Sequence, residues 1–244
     1  MVTLESYIRT WPHGHIRTYA EIIDAGVSKQ EVQHAVRRQL LKSIGHGGYA
    51  RNEDEISWQH GLHSLQCNKD KIIQYFVGGT TALLIHSYGN IPKNLEVNDF
   101  YYTDAKYPTW FKRLAGGNSS FIKYNAKIPI SIRDSFTKFM TIDGFQYVIS
   151  SPERALFEIG LTHKDIIPIK NIILSLQCLN VNTLNSILKF SFPYDNYSNF
   201  KILAENLNQM GKSELLKSLL NFIPGDSAAM SWIKISGKME NNNA

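Results

Sequence analysis

Near the N-terminus, hydrophobic residues recur at helical spacing in three short segments. The first, Leu4 to Thr10, predicts a helix that ends before Pro12 and Gly14. The second and third begin with Thr18–Glu21 and Ser28–Glu31, each of which has the residue types of a capping box. In a capping box the hydroxyl accepts from the amide three residues on, and the glutamate reaches back to the first amide. Two helices with marked starting points are therefore expected.

A turn that contains Gly26 separates these two capped segments, which is the local pattern of a helix-turn-helix. The later helix is predicted over residues 29–39, and its hydrophobic stripe consists of Val32, Ala35, Val36 and Leu40. The opposite side carries polar and basic residues, namely Lys29, Gln30, Gln33, His34, Arg37 and Arg38. Such side chains, with the capping Ser28, reach base edges and phosphates in a major groove, although a merely solvated helix has the same composition.

A β-hairpin is predicted directly after this helix. Leu40 to Ile44 is apolar enough for a strand, residues 45–48 (Gly-His-Gly-Gly) supply a turn, and Tyr49 to Arg51 returns as a second strand. A hairpin in this position is the wing of a winged helix, and wings commonly lie along the sugar-phosphate backbone of DNA. We therefore expect His46 and Arg51 to contact phosphates.

The hydrophobic pattern predicts three parts: a winged helix-turn-helix at 1–57, a connector helix at 58–70, and a larger domain at 71–244. The acidic run at 53–55 is interpreted as a solvated domain boundary. The elements expected in the larger domain are helices at 80–86, 109–114 and 151–162, strands at 95–103, 121–124, 136–142 and 145–149, mostly helical chain from 169 to 220, and a loose tail around 241–243. A mixed sheet followed by helices is an α+β fold.

Composition changes this picture only slightly. The chain has 244 residues, 43% of them hydrophobic, and a formal net charge of +5, which favours polyanionic partners. No apolar stretch approaches eighteen residues and the N-terminus lacks a leader pattern, so we expect a cytoplasmic, nucleoid-associated protein without membrane contact. Cys67 and Cys178 are far apart in sequence, which predicts buried reduced thiols rather than a disulfide or zinc site.

An enzymatic alternative rests on Gly78-Gly79, a glycine pair that precedes a predicted helix. Nucleotidyltransferases begin in this way, and they need two carboxylates at alternate strand positions to hold magnesium. The following strand offers Asp99, but Tyr101 occupies the position where its partner would stand, and Asp104 lies in the opposite phase. The pattern therefore favours a glycine turn that packs a helix against the sheet, and it predicts no catalytic residue.

The remaining polar clusters predict no cofactor or metal site. His13 and His15 flank a glycine, and His60 and His63 share a predicted helix face without a third ligand nearby, so surface histidines are expected. At 151–154, a serine N-cap is followed by proline at the first helical position. There a glutamate favours the helix dipole, and Arg154 is expected to bridge to a neighbouring element.

Three motifs resemble the AbiEi-type antitoxins of abortive-infection toxin–antitoxin operons. The wing residues are Leu40, Leu41, Ile44, Gly45, Gly47, Gly48, Tyr49 and Ala50. The other two motifs are Ser-Pro-Glu-Arg-Ala-Leu at 151–156 and, more loosely, Gly-Thr-Thr-Ala-Leu at 79–83.

The resemblance implies an antitoxin and transcriptional autorepressor, not an enzyme, that binds inverted repeats in its own promoter through the winged helix. It also implies a functional partner, a nucleotidyltransferase-like toxin, which the C-terminal domain antagonises and with which a stable complex is not required. Besides the nucleotidyltransferase alternative, a protein-interaction module whose basic helix meets an acidic partner remains a competing hypothesis.

Overall fold

In a computed structural model of the chain, the described residues are 4–67, 74–89, 99–103, 106–123, 136–142 and 144–162, with short pieces at 179–180, 182–184 and 186–187. The helices among them are α1 (Leu4–Arg9), α2 (Tyr19–Asp24), α3 (Lys29–Arg37), α4 (Trp58–Gln66), α5 (Gly79–Tyr88), α6 (Thr109–Ala115) and α7 (Pro152–Thr162). The strands are β1 (Arg17–Thr18), β2 (Leu41–Gly45), β3 (Gly48–Arg51), β4 (Tyr75–Val77), β5 (Asp99–Tyr102), β6 (Ser120–Lys123), β7 (Thr137–Ile142) and β8 (Phe145–Ser150). The chain is therefore α+β, as predicted.

The N-terminal elements form a winged helix. Three helices precede the β2–β3 hairpin, and β1 adds a third strand, so that the sheet has the order β1-β3-β2. β1 pairs antiparallel with β3 through Arg17 opposite Tyr49, a contact that the sequence did not predict because the strand is two residues long. The predicted hairpin is confirmed, although its second strand begins one residue earlier, at Gly48.

The core of the winged helix is a cluster of hydrophobic side chains from all three helices and β2. The buried members are Leu4, Trp11, Ile22, Val27, Val32, Ala35 and Leu41. The predicted stripe of α3 is confirmed, since Val32 and Ala35 lie in this cluster while Val36 and Leu40 pack against it, half-buried. Because α3 buries one side here, its other side is left for solvent or a ligand.

A five-stranded mixed sheet has the order β6-β5-β4-β8-β7. β4 pairs antiparallel with β5 and parallel with β8, and β5 pairs parallel with β6. The predicted β7–β8 hairpin is confirmed, with Gly144 at φ 81° in its turn. The side-chain amide of Gln66 holds α4 on this sheet, because it donates to Tyr75 O (2.9 Å) and Val148 O (3.0 Å) and accepts from Val148 N (2.9 Å).

The chain divides into two compact units. The first consists of 1–77, 93–124 and 138–149, which include the winged helix, α4 and nearly all of the mixed sheet. The second consists of 78–92, 125–137 and 150–244. The predicted boundaries at 57 and 70 do not coincide with this division and stay predictions from the linear sequence.

Within the second unit, α5 packs against α7, and a buried network joins them. Arg154 Nε donates to Glu158 Oε1 (2.8 Å), and the backbone amide of Gly79 donates to Glu158 Oε2 (3.0 Å). The bond of Arg154 to Glu158 stays within α7, and Glu158 makes the contact with α5; the predicted bridge from Arg154 to a neighbouring element stays a prediction. The Ser151 cap is confirmed, since its hydroxyl accepts from the amide of Arg154 (3.3 Å).

Two further expectations are wrong. Asp54, assigned to a solvated boundary, is buried (6% exposed), although its neighbours Glu53 and Glu55 are exposed. Cys67, expected to be buried, is exposed. Cys178, Asp104, most of the helical chain predicted from 169 to 220, and the tail at 241–243 lie outside the described residues. In the part of the chain that is described, no helix is long and apolar enough to cross a membrane.

Candidate nucleic-acid interface

The start of α3 is fixed by the capping box that the sequence predicts. The amide of Glu31 donates to Ser28 Oγ (3.2 Å), and the amide of Ser28 donates to Glu31 Oε2 (2.8 Å). These hydrogen bonds lower the pKa of the Glu31 carboxyl and hold the charged carboxylate at the start of the helix. The box at Thr18 and Glu21 opens α2 in the same way. Both caps hold the helix-turn-helix in register.

The face of α3 opposite the core is open to solvent. Its exposed side chains are those that the sequence assigned to DNA: Ser28, Lys29, Gln30, Gln33, His34, Arg37 and Arg38. Arg38 forms an ion pair with Glu5 of α1 (3.2 Å), in which each side chain is 56% exposed. Among the described residues, Lys29 and Arg37 form no ion pair. Their charges are therefore accessible to an external anion.

A groove of about 670 Å³ runs between α1 and α3. The polar side chains of α3 line it together with Leu4 and Glu5 of α1. The groove is open and mixed in polarity, as the surface of a helix that meets a duplex would be.

The end of α3 sets the position of the wing. The helix ends at Arg37, two residues before the predicted end, and Gln39 adopts a left-handed conformation with φ 58°. The amide of Leu40 then donates to Ala35 O (2.9 Å), the long-range bond of a Schellman motif. This tight turn leads directly into β2.

The turn of the wing is anchored at both sides. Gly47 has φ 84°, and its carbonyl accepts from the amide of Tyr19 at the start of α2 (2.9 Å). His46 is exposed at this turn. On the other side, Gly45 and Gly48 lie against Trp110 of α6, such that a Cβ on Gly48 would come within 2.8 Å of the Trp110 ring. Only glycine leaves room for this contact.

The two predicted phosphate ligands of the wing are not together. His46 lies at the turn, whereas Arg51 lies at the base of the hairpin, opposite Leu41. The Arg51 side chain is 11% exposed, and its NH1 group lies 3.8 Å from Glu53 Oε1. The structure thus leaves His46 available and holds Arg51 against the domain.

Comparisons with known proteins bear on this geometry. Residues 2–90 match the family described as "Transcriptional regulator, AbiEi antitoxin N-terminal domain". This region is similar to an AbiEi-type regulator domain. The match covers both capped helices, the wing and α4, so the resemblance drawn from the wing motif is confirmed.

A solved structure supports the fold over more of the chain. The chain is similar to the RV2827C protein from Mycobacterium tuberculosis, with a TM-score of 0.53 and 14% sequence identity, over 91% of this chain and 79% of that one. At this identity the likeness shows the fold alone. None of the curated protein sequences matches the chain significantly.

Asp54 connects three segments of the winged helix. Its carboxylate accepts from the Gly14 amide (2.9 Å) and lies 3.0 Å from His13 Nδ1, and its carbonyl accepts from Lys42 Nζ. His13, Glu53 and Asp54 place possible metal-ligand atoms within 4.8 Å of one another. Both Asp54 carboxylate oxygens already have hydrogen-bonding partners, so the cluster ties the chain after β3 to the loop after α1.

The histidines are less exposed than predicted. His15 is buried (7% exposed), and this burial lowers the pKa of its imidazole to about 4, with smaller effects from Arg17 and His63. His63 Nδ1 lies 2.9 Å from Gln146 O, and His60 Nδ1 accepts from the Ser57 amide (3.1 Å). The expectation of surface histidines is therefore wrong for His15, whereas His60 and His63 are half-buried.

The features of the nucleotidyltransferase alternative also have structural roles. The amide of Gly79, which that alternative would aim at a triphosphate, donates to Glu158. Asp99 is fully buried at the first position of β5, and the sequence of that strand, Asp-Phe-Tyr-Tyr, contains one carboxylate. Among the described residues these positions form no paired-carboxylate site, so the interface on α3 remains the better candidate.

Proposed function

We propose that the chain is a DNA-binding antitoxin and transcriptional autorepressor that recognises inverted repeats in the promoter of its own operon. The observation that carries this proposal is the open face of α3, where Lys29 and Arg37 are exposed beside three polar side chains at helical spacing. The AbiEi-type regulator match over residues 2–90 supports it. In this role α3 enters the major groove and the wing follows the backbone.

The proposal assigns residue roles by position. Ser28, Lys29, Gln30, Gln33, His34 and Arg37 face the base edges and nearby phosphates, because they form the exposed side of the capped helix. Arg38, His46 and Arg51 position the backbone. For Arg38 and Arg51 this role requires exchange of a carboxylate partner, Glu5 or Glu53, for a phosphate.

The functional partner in this proposal is a nucleotidyltransferase-like toxin, whose action the C-terminal part of the chain antagonises and with which a stable complex is not required. This element rests on the family resemblance. Binding to its operator places the protein in the cytoplasm, at the nucleoid.

A fluorescence anisotropy titration on promoter DNA tests the proposal. Arg37→Ala should weaken binding by about 1–3 kcal/mol, roughly 5- to 150-fold, if the guanidinium reads a guanine. Lys138→Ala is the matched control, since Lys138 is an exposed cation on β7 outside the interface. It should leave the affinity unchanged.

Two results would overturn the proposal. One is wild-type binding that shows no preference for promoter DNA over a scrambled duplex of equal length. The other is binding that survives only at very low salt, which would favour the protein-interaction alternative. An equal loss for Arg37→Ala on every sequence would reassign Arg37 to a phosphate contact.

A further inference from the structure

The wing packs against α6, which lies more than sixty residues later in the chain. A Cβ on Gly45 would lie 3.2 Å from Trp110 Cα, and one on Gly48 would lie within 2.8 Å of the Trp110 ring. The same Gly45 position lies 3.8 Å from Arg113 Cδ. The aliphatic part of Arg113 therefore lies beside the turn of the wing. We call this contact, formed by Gly45, Trp110 and Arg113, the wing–α6 junction.

The segment that carries α6 is strongly cationic. Residues 106–123 contain four basic residues and no acidic residue, and all four basic side chains are exposed. They are Lys106, Lys112, Arg113 and Lys123. Within the part of the chain that is described, none of them forms an ion pair. A surface of this kind attracts a polyanion along its length.

The packing below α6 fixes its orientation. Phe111 is fully buried and stacks on Tyr107, with ring centroids 4.7 Å apart. Trp110 is 3% exposed, and a Cβ on Gly61 of α4 would lie within 3.0–3.1 Å of both aromatic rings. Arg113 is thus presented on a rigid helix, and little backbone entropy is lost when its charge is placed against a ligand.

We propose that the DNA interface extends beyond the winged helix to the wing–α6 junction, where Arg113 contacts a backbone phosphate next to the wing. This inference rests on the proposed function and extends the bound site outside residues 2–90. The ligand is the phosphate backbone rather than a base, because α6 packs against the turn of the wing and wings commonly lie along the sugar-phosphate backbone. Arg113 therefore contributes affinity and register but no sequence preference.

The neighbouring Lys112 provides a matched control on the same helix. Its Nζ lies 5.4 Å from the centroid of the Phe121 ring, so its charge is directed at this aromatic face. Arg113→Gln and Lys112→Gln remove the same formal charge from adjacent exposed positions. A difference between them isolates the contact at the junction from a general change in net charge.

The experiment measures the affinity for promoter and scrambled duplexes between 50 and 200 mM salt. Arg113→Gln should reduce the slope of log K against log salt by about 0.9, so that its affinity falls roughly threefold less than that of wild type across this range. Its affinity loss should be equal on both duplexes. Arg113→Lys should keep the wild-type slope, since a phosphate contact needs only a positive charge. Lys112→Gln should also keep it.

The outcomes separate this inference from the proposed function. If Arg37→Ala loses promoter affinity while Arg113→Gln keeps the wild-type slope, the interface ends at the wing and the inference is wrong. Equal slope changes for Arg113→Gln and Lys112→Gln would also overturn it. If wild-type protein fails to prefer promoter DNA, the proposed function fails. Superimposable circular dichroism melts of the variants and wild type show that none of these results comes from unfolding.

Discussion

The helices α3 and α7 begin alike and use their charges in opposite ways. Each has a serine at its N-cap and a glutamate in its first turn. On α3 the basic side chains are exposed, and Arg38 at its C-cap pairs with Glu5 of α1 at 56% exposure on both sides. On α7 the pair of Arg154 and Glu158 has no exposed surface. The same residue types thus lie at the surface of one unit and in the core of the other.

The difference shows what burial does to a charge. An exposed cation is already solvated, and it can exchange water or a weak partner for a phosphate at little cost. A buried ion pair must satisfy its own hydrogen bonds, because neither member retains water. Accordingly Glu158 accepts from Arg154, Gly79 and Ser150. The exposed pattern permits binding, and the buried pattern fixes packing.

The largest predicted change in the free energy of unfolding comes from replacing the glutamate of an ion pair by alanine, which is compared for the buried and the exposed pair. Glu158→Ala should lower the free energy of unfolding by about 3–5 kcal/mol, because it leaves the buried Arg154 charge without this partner. Glu5→Ala removes the partner of an exposed arginine, and it should change the free energy of unfolding by less than about 1 kcal/mol. Urea unfolding followed by circular dichroism measures both values.

Glu158→Gln refines this test, because it keeps the shape and one acceptor while removing the charge. It should fall between wild type and Glu158→Ala. If Glu158→Ala lowered the free energy of unfolding no more than Glu5→Ala does, the two ion pairs would contribute equally to stability. The contrast between surface and core charge would then be wrong.

The next effect compares the two caps. Ser28 Oγ accepts from Glu31 N at 3.2 Å and Ser151 Oγ accepts from Arg154 N at 3.3 Å, but Ser28 is exposed while Ser151 is 4% exposed. Ser28→Ala should cost about 1 kcal/mol or less, since water replaces the hydroxyl. Ser151→Ala should cost up to about 2 kcal/mol, because a buried amide loses its acceptor.

The same urea titration compares the two alanine variants, and threonine at each position provides a control that keeps a capping hydroxyl. Ser28→Thr and Ser151→Thr should recover most of the loss at their positions. Equal losses for the two alanine variants would mean that burial does not affect the strength of a cap here.

The sequence was informative where structure depends on neighbours along the chain. Capping boxes at Thr18 and Ser28, the glycines of the wing and the Ser151 cap are local signals, and the elements that they predict formed within a few residues of their expected places. The open face of α3 was predictable for the same reason, because its hydrophobic stripe determines which side is buried. The helix end at Arg37 was missed, since Gln39 takes the left-handed conformation usually left to glycine.

Long-range packing was not predictable from those signals. Nothing near Gly48 indicates that its missing Cβ makes room for Trp110, which lies sixty-two positions later. Asp54 belongs to an acidic run that has the composition of a solvated segment, yet it is buried by partners from residues 13, 14 and 42. Charge and polarity alone do not distinguish these two environments. The burial of His15 was missed for the same reason.

The smallest predicted effect extends the comparison to a titrating group in the first unit. Burial lowers the pKa of the His15 imidazole from 6.5 to about 4, so the native state favours the neutral ring. Below about pH 6.5 the unfolded chain binds a proton that the native chain does not bind, and stability should fall as the pH drops toward 4. Between pH 7.5 and 6.0 this loss should be below about 1 kcal/mol.

Two histidine variants isolate this effect in urea titrations at both pH values. His15→Gln should lose less stability on acidification than wild type, because the depressed titration is removed. His46→Gln alters an exposed histidine at the turn of the wing. On acidification this variant should lose as much stability as wild type does. If His15→Gln showed the wild-type dependence, the buried imidazole would contribute nothing to it. The effect of burial on stability would then hold for the carboxylate of α7 but not for the His15 imidazole of the winged helix.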